Sequence, residues 1–533
     1  MRLVGLSALV AAAIVGTWWW LGAPFAIPPS PLAPDEKLYC VSYAPFRGQQ
    51  TPFDRSWIDP RQIEDDLARL APLTDCVRTY STELGLDRVA EIAERRGLKV
   101  IQGVWLGRER AGNRTEIETA VAIVRRHPGT VRAVVAGNEA LLRGELSADD
   151  LAALIAEVRA RVVVPVTYAE VWEFWLRNRP VADAVDFVTV HILPYWEDIP
   201  ISAAAAAAHV ADIHRMVAAA FPGKEILLGE VGWPSAGRMR EGALPSPANQ
   251  ARVLEGVLAI AKRDGFRASL IEAFDQPWKR KLEGTVGGHW GLLDGATRER
   301  KFVWGAPLSN HPGWPWQAAV GLALAAAVFL AARLASRTAA PPTATQWFGV
   351  VVMALAPGIL IGWALASAPL ESLGIGGWAH SLAMIAVAVV APPAGAAALV
   401  RNIPIPAFSR LLASREGRPT DRVVLMLGVA WIVLSAIATE VALGLAFDPR
   451  YRDFPFAPLG AGAAPFLVLA LLGGHAPRRL EVAEAAMAAV LGASTGYVVW
   501  HEGFANWQAL SLCIVLAAVT FALLRSPGAP SSE

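Results

Sequence analysis

Apolar positions fall into three regimes along the chain. From Leu3 to Ile27 they are continuous: "LVGLSALVAAAIVGTWWWLGAPFAI" runs 25 residues without a charge. Between about residues 35 and 305 they come as short β-branched runs separated by amphipathic, charge-bearing stretches. Beyond residue 313 the runs lengthen again and the charges retreat to the gaps. Run length and period are the first guide to elements, so each regime is read by its own rule.

The middle regime predicts eight strands: "LYCVSY" (38–43), "CVRTY" (76–80), "LKVIQGVW" (98–105), "VRAVVAGNE" (131–139), "VVPVTYAE" (163–170), "VDFVTVHI" (185–192), "EILLGE" (225–230) and "ASLIEAF" (268–274). Helical patterns lie between them, such as "DPRQIEDDLARLA", "RTEIETAVAIVRRH", "SADDLAALIAEVRARV" and "SAAAAAAHVADIHRMVAAAF". Two of these open with capping chemistry, Asp59 before Pro60 and Ser147 three residues before Asp150. Eight strands with helical connections in about 240 residues predict an α/β fold, a (β/α)8 TIM barrel. A doubly wound open sheet would carry a glycine-rich phosphate turn after its first strand, and "YAPFRG" offers none.

The outer regimes are long enough to cross about 30 Å of hydrocarbon. The first run outlasts an ordinary signal-peptide core and has no small-x-small cleavage site before Pro28, so an uncleaved anchor is expected. Trp18 to Trp20 suit an interfacial belt. Seven further spans are predicted, an all-α bundle at about 314–334, 347–367, 377–400, 423–446, 457–475, 482–500 and 504–524. Their loops alternate in charge. One set holds Arg333, Arg337, Arg401, Arg410, Arg415, Arg418, Arg422, Arg478, Arg479 and Arg525. The other holds Glu371, then Asp448, Arg450, Arg452 and Asp453, then His501 and Glu502. Arginine marks the cytoplasmic side, so residues 35–313 are expected outside the cytoplasm and the C-terminus inside. Three domains follow: an anchor and Pro-rich linker over 1–34, a barrel over 35–310, and a seven-span domain over 311–533. Glu440, His380 and His475 are the polar residues of the bundle. Glu440 lies about two turns from the outer surface, where snorkelling or helix packing explains it as well as chemistry does.

Composition adds little more. Net charge is +1, which gives no sign of a nucleic-acid or polyanionic partner. Of the three cysteines, Cys513 lies in an apolar run, and Cys40 and Cys76 fall on neighbouring strands. Side chains along paired strands rarely reach disulfide geometry, so buried free thiols are expected. No zinc spacing occurs, and no metal or organic cofactor is implied.

In a barrel the active site lies at the C-terminal strand ends. Those ends carry Tyr43, Arg78, Tyr80, Trp105, Asn138, Glu139, Tyr168, Glu170, His191, Tyr195, Glu230, Glu272 and Asp275. Aromatics and carboxylates with few cations suit a neutral sugar rather than a phosphate. Glu139 and Glu230 end the fourth and seventh strands, which face each other across the mouth. A retaining glycosidase needs two carboxyls about 5–5.5 Å apart, one as nucleophile and one as acid and then base. Asn138 can donate to a sugar hydroxyl. Trp233, Trp278 and Trp290 are candidate sugar platforms, though Trp233 in particular suits a roof over the barrel equally well. His191 suits substrate binding or a structural hydrogen bond.

"VVAGNEALLR" (134–143) and "LLGEVGWPSAG" (227–237) resemble the two signature strands of glycoside hydrolase family 17, the β-1,3-glucanase barrels. "VSYAPF" (41–46), "VRTYSTE" (77–83) and "EAFDQPWKRKLEGTVGGHWGLLD" (272–294) are similar to further segments of that family. The resemblance covers about residues 36–305. It implies Glu139 as acid/base, Glu230 as nucleophile, and positioning roles for Arg78, Asn138, Tyr195, Glu272, Asp275 and Lys279. Where the family often reads Asp-Glu-x-x-Lys, this chain has Gln276 in place of the glutamate.

Anchor, barrel and bundle together resemble rhizobial-type membrane proteins linked to β-1,3/β-1,6-glucan synthesis. The longest cytoplasmic loop, 401–422, is too short to hold a nucleotide-sugar polymerase. A preformed glucan outside is therefore the expected donor. The resemblance thus implies a periplasmic glucanosyltransferase of a bacterial inner membrane, with β-glucan as donor and acceptor and the bilayer as partner. The bundle either anchors the barrel or docks a glucan synthase or exporter. An endo-β-1,3-glucanase and a glucan-binding or export scaffold stay open as alternatives. A pure binding domain, however, has no need of both glutamates.

Overall fold

The structure is a computed structural model that describes residues 2–412, 419–473 and 481–525. Arg415, Arg418, His475, Arg478 and Arg479 lie outside the described residues. The chain forms two compact units. One comprises Phe25–Ala236 and Gly242–Leu308, the other Met1–Pro24, Gly237–Glu241 and Ser309–Glu533.

In the first unit eight strands close a barrel in sequence order, every pair parallel. They are β1 (Cys40–Ser42), β2 (Cys76–Arg78), β3 (Lys99–Val104), β4 (Val131–Asn138), β5 (Val166–Val171), β6 (Val188–His191), β7 (Ile226–Val231) and β8 (Arg267–Leu270). All eight predicted strands are present, most of them shorter than the apolar runs that announced them. The expected caps form: Asp59 accepts from Arg61 N, and Ser147 from Asp150 N. The Pro-rich stretch after residue 24 is not a free linker. It lies against this unit, through the Phe25–Leu308 bridge and the bond from Gly305 N to Pro28 O.

Strand side chains alternate between faces. Cys40, Cys76, Ile101, Ala133, Val135, Ala169 and Leu227 form one buried cluster, which is the barrel interior. Val41, Val77, Val100, Val134, Tyr168 and Leu228 belong to the other, larger cluster between strands and helices. Cys40 and Cys76 share the interior face with Cα atoms 4.3 Å apart, and they form a disulfide. This corrects the expectation of free thiols. The register Val41↔Val77 sets the two residues side by side on the same face, so no backbone movement is needed to join them.

The second unit is helical. It contains Arg2–Leu21, Trp314–Ala335, Ala344–Glu371, Gly374–Val400, Arg422–Phe447, Phe456–Leu472, Val482–Glu502 and Trp507–Arg525. Seven of these are long and apolar enough to cross a membrane. Phe456–Leu472 has 17 residues and is buried along almost its whole length. The first helix stops at Leu21, short of the apolar run's end at Ile27. Backbones approach closely through small residues: a Cβ on Gly321 would stand 2.1 Å from the Gly358 carbonyl oxygen. Glu440 pairs with Arg452 at 3.3 Å and His380 at 3.2 Å, with its side chain half-exposed. Arg238 and Glu502 form a buried ion pair.

Candidate active site

Period-two alternation decides which strand-end residues reach the mouth. On β1 the interior residues are Cys40 and Ser42, so Tyr43 points outward. Its hydroxyl donates to Asp66 at 3.0 Å, and its ring meets Phe274. On β5 the same parity sends Tyr168 and Glu170 toward the helix layer. Tyr168 donates to Glu170 at 2.5 Å, and the Val171 and Leu142 amides complete the carboxylate's partners. Burial holds the Glu170 carboxyl above its ordinary range. Tyr43 and Glu170 are therefore bound into the framework between strands and helices, rather than turned into the barrel mouth as the sequence reading expects.

The same parity would turn Asn138 and Glu230 outward, and β-bulges prevent it. The β4–β5 register shifts between Val135 and Asn138, where Gly137 adopts φ +93°. The β6–β7 register shifts so that Val190 faces Leu228 while His191 faces Glu230, which leaves Gly229 as the extra residue. Each bulge turns the following side chain to the other face. Glycine is required in the second: a Cβ on Gly229 would stand 2.3 Å from Thr189 Cγ2 and 3.1 Å from His191. Glu139 follows in the left-handed region at φ +54°, a conformation costing of order 1–3 kcal/mol for a non-glycine residue. Its amide is held on Ala169 O at 2.8 Å.

The result is a tight cluster. An oxygen of Glu139, an oxygen of Glu230 and a ring nitrogen of His191 lie within 4.8 Å of one another. Glu230 Oε1 accepts from Arg78 Nη1 at 2.7 Å and from Tyr80 Oη at 2.8 Å. Among the described residues no bond falls on Oε2. Arg78 also donates to Asn138 Oδ1, which ties the two signature strands together. Burial opposes ionisation of Glu230, but the fields of His191, Arg78 and Lys279 and the Tyr80 hydroxyl outweigh it and hold the carboxyl down at about 2. Glu139 keeps a quarter of its side chain exposed, and its Oε1 meets His191 Nδ1 at 2.8 Å. Those three residues could in principle ligate a cation, but the Arg78 guanidinium, a fixed positive charge 2.7 Å from Glu230 Oε1, already supplies the counter-charge, so the donor set suits a carboxylate pair better.

On the β8 side Lys279 donates to both oxygens of Glu272, at 3.0 and 2.9 Å. Burial pushes the Glu272 carboxyl up to about 7 although Lys279 pulls the other way. Glu272 thus sits opposite the lysine even though Gln276 has replaced the carboxylate the family pattern expects. Asp275 is a framework residue: it pairs with Lys301 at 2.6 Å and accepts from Gly291 N at 2.9 Å. Trp233 is fully buried with its indole N–H on Leu244 O, so it roofs the barrel. Trp290 is buried too and stacks on Trp196 with an interplanar angle of 19°. Tyr195 packs edge-on against Trp196, Trp233 and Trp290. Trp105 remains 41% exposed, with the Arg143 guanidinium over its ring at 4.2 Å. Trp278 is half-buried against Phe46 and Phe53. Sequence reasoning missed Glu283, whose carboxyl burial holds high and which feels Lys279, Glu139 and Glu230. Its place four residues after Lys279 on one helical turn was the available signal.

Comparison with known proteins follows the same strands. Residues 40–291 match the profile of the BtgE/BtgC glycoside hydrolase domain. A probable beta-glucosidase btgE of Neosartorya fischeri is 29% identical over 227 residues, covering 41% of this chain and 40% of that protein. The chain thus spans about two-fifths of the length of such relatives. A glucan 1,3-beta-glucosidase of Candida albicans is 25% identical over 257 residues, covering 44% of this chain and 83% of that one. The crystal structure of a glycoside hydrolase family 17 β-1,3-glucanosyltransferase from Rhizomucor miehei is 25% identical, covers 50% of this chain and 98% of its own, and superposes with a TM-score of 0.43. Residues 40–291 thus resemble a glycoside hydrolase domain of the BtgE/BtgC kind, and the barrel is that of a family 17-like, glycosidase-type enzyme.

Proposed function

We propose that this protein is a retaining, β-1,3-glucan-active glucanosyltransferase that remodels, branches or cyclises glucan through a covalent glycosyl-enzyme. One observation carries the reading: oxygens of Glu139 and Glu230 lie within 4.8 Å, and Glu230 has one oxygen fully engaged and the other open. An inverting enzyme needs about 6.5–9.5 Å to seat a water between the carboxyls. Glu230 Oε2 attacks the anomeric carbon while Glu139 protonates the departing glycosidic oxygen. Glu139 then takes a proton from the incoming hydroxyl, which displaces Glu230. Arg78 and Tyr80 keep the nucleophile ionised and fix its rotamer. Asn138 spends its Oδ1 on Arg78, so its Nδ2–H is the group for the sugar 2-hydroxyl. Trp105 offers a sugar-sized face at the rim.

The glucan preference rests on the domain match and on relatives whose names specify glucan 1,3-β-linkages. Transfer rather than hydrolysis rests on the helical unit, since a scavenging hydrolase has no use for many spans. The location proposed is a bacterial inner membrane with the barrel in the periplasm. The arginine-biased loops and the Cys40–Cys76 disulfide, which suits an oxidising compartment, both support it. The experiment is to incubate the full chain in detergent with laminari-oligosaccharides and read product mass, linkage and anomeric configuration. Products longer than the donor, with β configuration retained, are expected. Shorter products alone would make it a hydrolase, and inverted products would remove the covalent step.

A further inference from the structure

His191 sits between the two glutamates with a role the two-carboxylate scheme leaves blank. Its side chain is fully buried on β6. Nδ1 meets Glu139 Oε1 at 2.8 Å, while Nε2 points at Glu230 Oε1 from 3.7 Å and has no hydrogen-bond partner among the described residues. A buried polar atom without a partner is costly and calls for an explanation. The bulge at Gly229 is what makes room for the ring edge. The titratable groups facing the imidazole are Glu139 and Glu230, with Arg78, Tyr80, Lys279, Glu272 and Glu283 beyond them; Glu170 on the neighbouring β5 turns to the helix layer.

We propose that Glu139 and His191 form a dyad holding the catalytic proton between Oε1 and Nδ1, with the His191 Nε2–H kept on Glu230, so that His191 is the positioning residue that assigns the proton to the acid and the charge to the nucleophile. This deepens the reading above and rests on it. The proton count is the same whether the shared proton lies on Glu139 or on Nδ1. In both cases Nε2 keeps its hydrogen, and Glu230 keeps its negative charge. In the first half-reaction the glycosidic C–O bond breaks and its electron pair leaves with the oxygen, which takes the shared proton. The Glu230 ester forms, and the negative charge passes to Glu139. Nδ1 then presents a lone pair to that carboxylate. This sharpens its appetite for the proton of the acceptor hydroxyl, and the proton returns to the same contact as the ester breaks. No tautomer exchange and no outside proton donor are required. The 3.7 Å separation to Glu230 is of the kind that tightens in the substrate complex.

A purely structural histidine would instead donate Nδ1–H to a charged Glu139, and the two cases differ in sign. The test uses the full chain in detergent with His191→Phe, which removes both nitrogens, and His191→Gln, which keeps a hydrogen-bonding group but cannot share a proton. In both, the basic limb of the pH–rate profile on laminari-oligosaccharides should move to lower pH by about one unit or more. Turnover should fall about 100-fold, the scale of lost acid assistance. An aryl β-laminaribioside with a strongly acidic phenol, which leaves without a proton, should lose less than about tenfold in its glycosylation step. If His191→Phe fails to fold, His191→Gln carries the test alone. A basic limb that stays or moves to higher pH, or equal losses on both substrates, would overturn the dyad. Absence of any turnover by the unmodified protein would instead overturn the functional reading beneath it.

Discussion

Each unit buries an arginine against a glutamate: Arg78 on Glu230 in the barrel, Arg238 on Glu502 in the helical unit. The side chains are almost equally enclosed, at 2% and 7% exposure in the first pair and 3% and 5% in the second. Their surroundings differ. Glu502 uses both oxygens: Oε1 meets Arg238 and His501, and Oε2 accepts from Asn506 Nδ2 at 2.7 Å. Among the described residues, the hydrogen bonds to the Glu230 carboxylate all fall on Oε1. A buried charge costs several kcal/mol to desolvate, and the usual remedy is to satisfy all its lone pairs. Glu502 follows that rule and reads as structure. Glu230 departs from it at Oε2, the oxygen that the proposed mechanism uses for attack, while the neighbouring charges keep the carboxyl ionised.

The sharpest way to break the comparison is to neutralise each glutamate in turn. Glu230→Gln should lower kcat by roughly 10⁴-fold with the fold intact, because the nucleophile is lost. Glu502→Gln should leave kcat per folded molecule unchanged while lowering thermal stability. Equal kcat losses would mean the two pairs do not differ in kind. Removing the cations comes next. Arg78→Met should cost about 3–5 kcal/mol by stranding a buried carboxylate, measured by denaturant unfolding. Its pH signature has a definite sign. Glu230 is held at about 2, below its ordinary 4.5, so it contributes stability that is complete above 4.5 and is lost as pH falls toward 2. Without the guanidinium that loss starts at higher pH, and the acid-unfolding midpoint should rise.

The disulfide ranks third. It closes a 36-residue separation, so Cys40→Ser should lower barrel stability by about 2–4 kcal/mol, read as a fall in Tm under non-reducing conditions. Glu440 ranks last. It and its partners Arg452 and His380 are 34–55% exposed, so Glu440→Gln should change stability by less than about 1 kcal/mol. A larger loss would show that the charge at that helix end matters more than its exposure suggests.

Much of this architecture was legible beforehand. Eight β-branched runs and the long apolar runs map onto strands and helices because run length and period report burial directly. Glu139 and Glu230, the proposed pair, stand out in the sequence because the fourth and seventh strand ends carry Asn-Glu and Glu before Gly-Trp-Pro, and the structure brings them together. Tyr43 and Glu170 turn away from the mouth, while His191 and Glu283 lie near the pair, for one shared reason: nearness to a strand end says nothing about which face a side chain takes.

The sequence alone determined the number and order of the elements and the apolar character of the helical unit, and it singled out the two carboxylates proposed for catalysis, since these follow from local pattern. Tertiary structure decided which way the side chains point. Two bulges, at Gly137 and Gly229, turn Asn138 and Glu230 into the mouth, and an unbroken alternation sends Tyr43 and Glu170 away from it. A bulge is a mismatch between two strands distant in sequence, and so is the register that joins Cys40 to Cys76. Neither exists until the partner strand is in place.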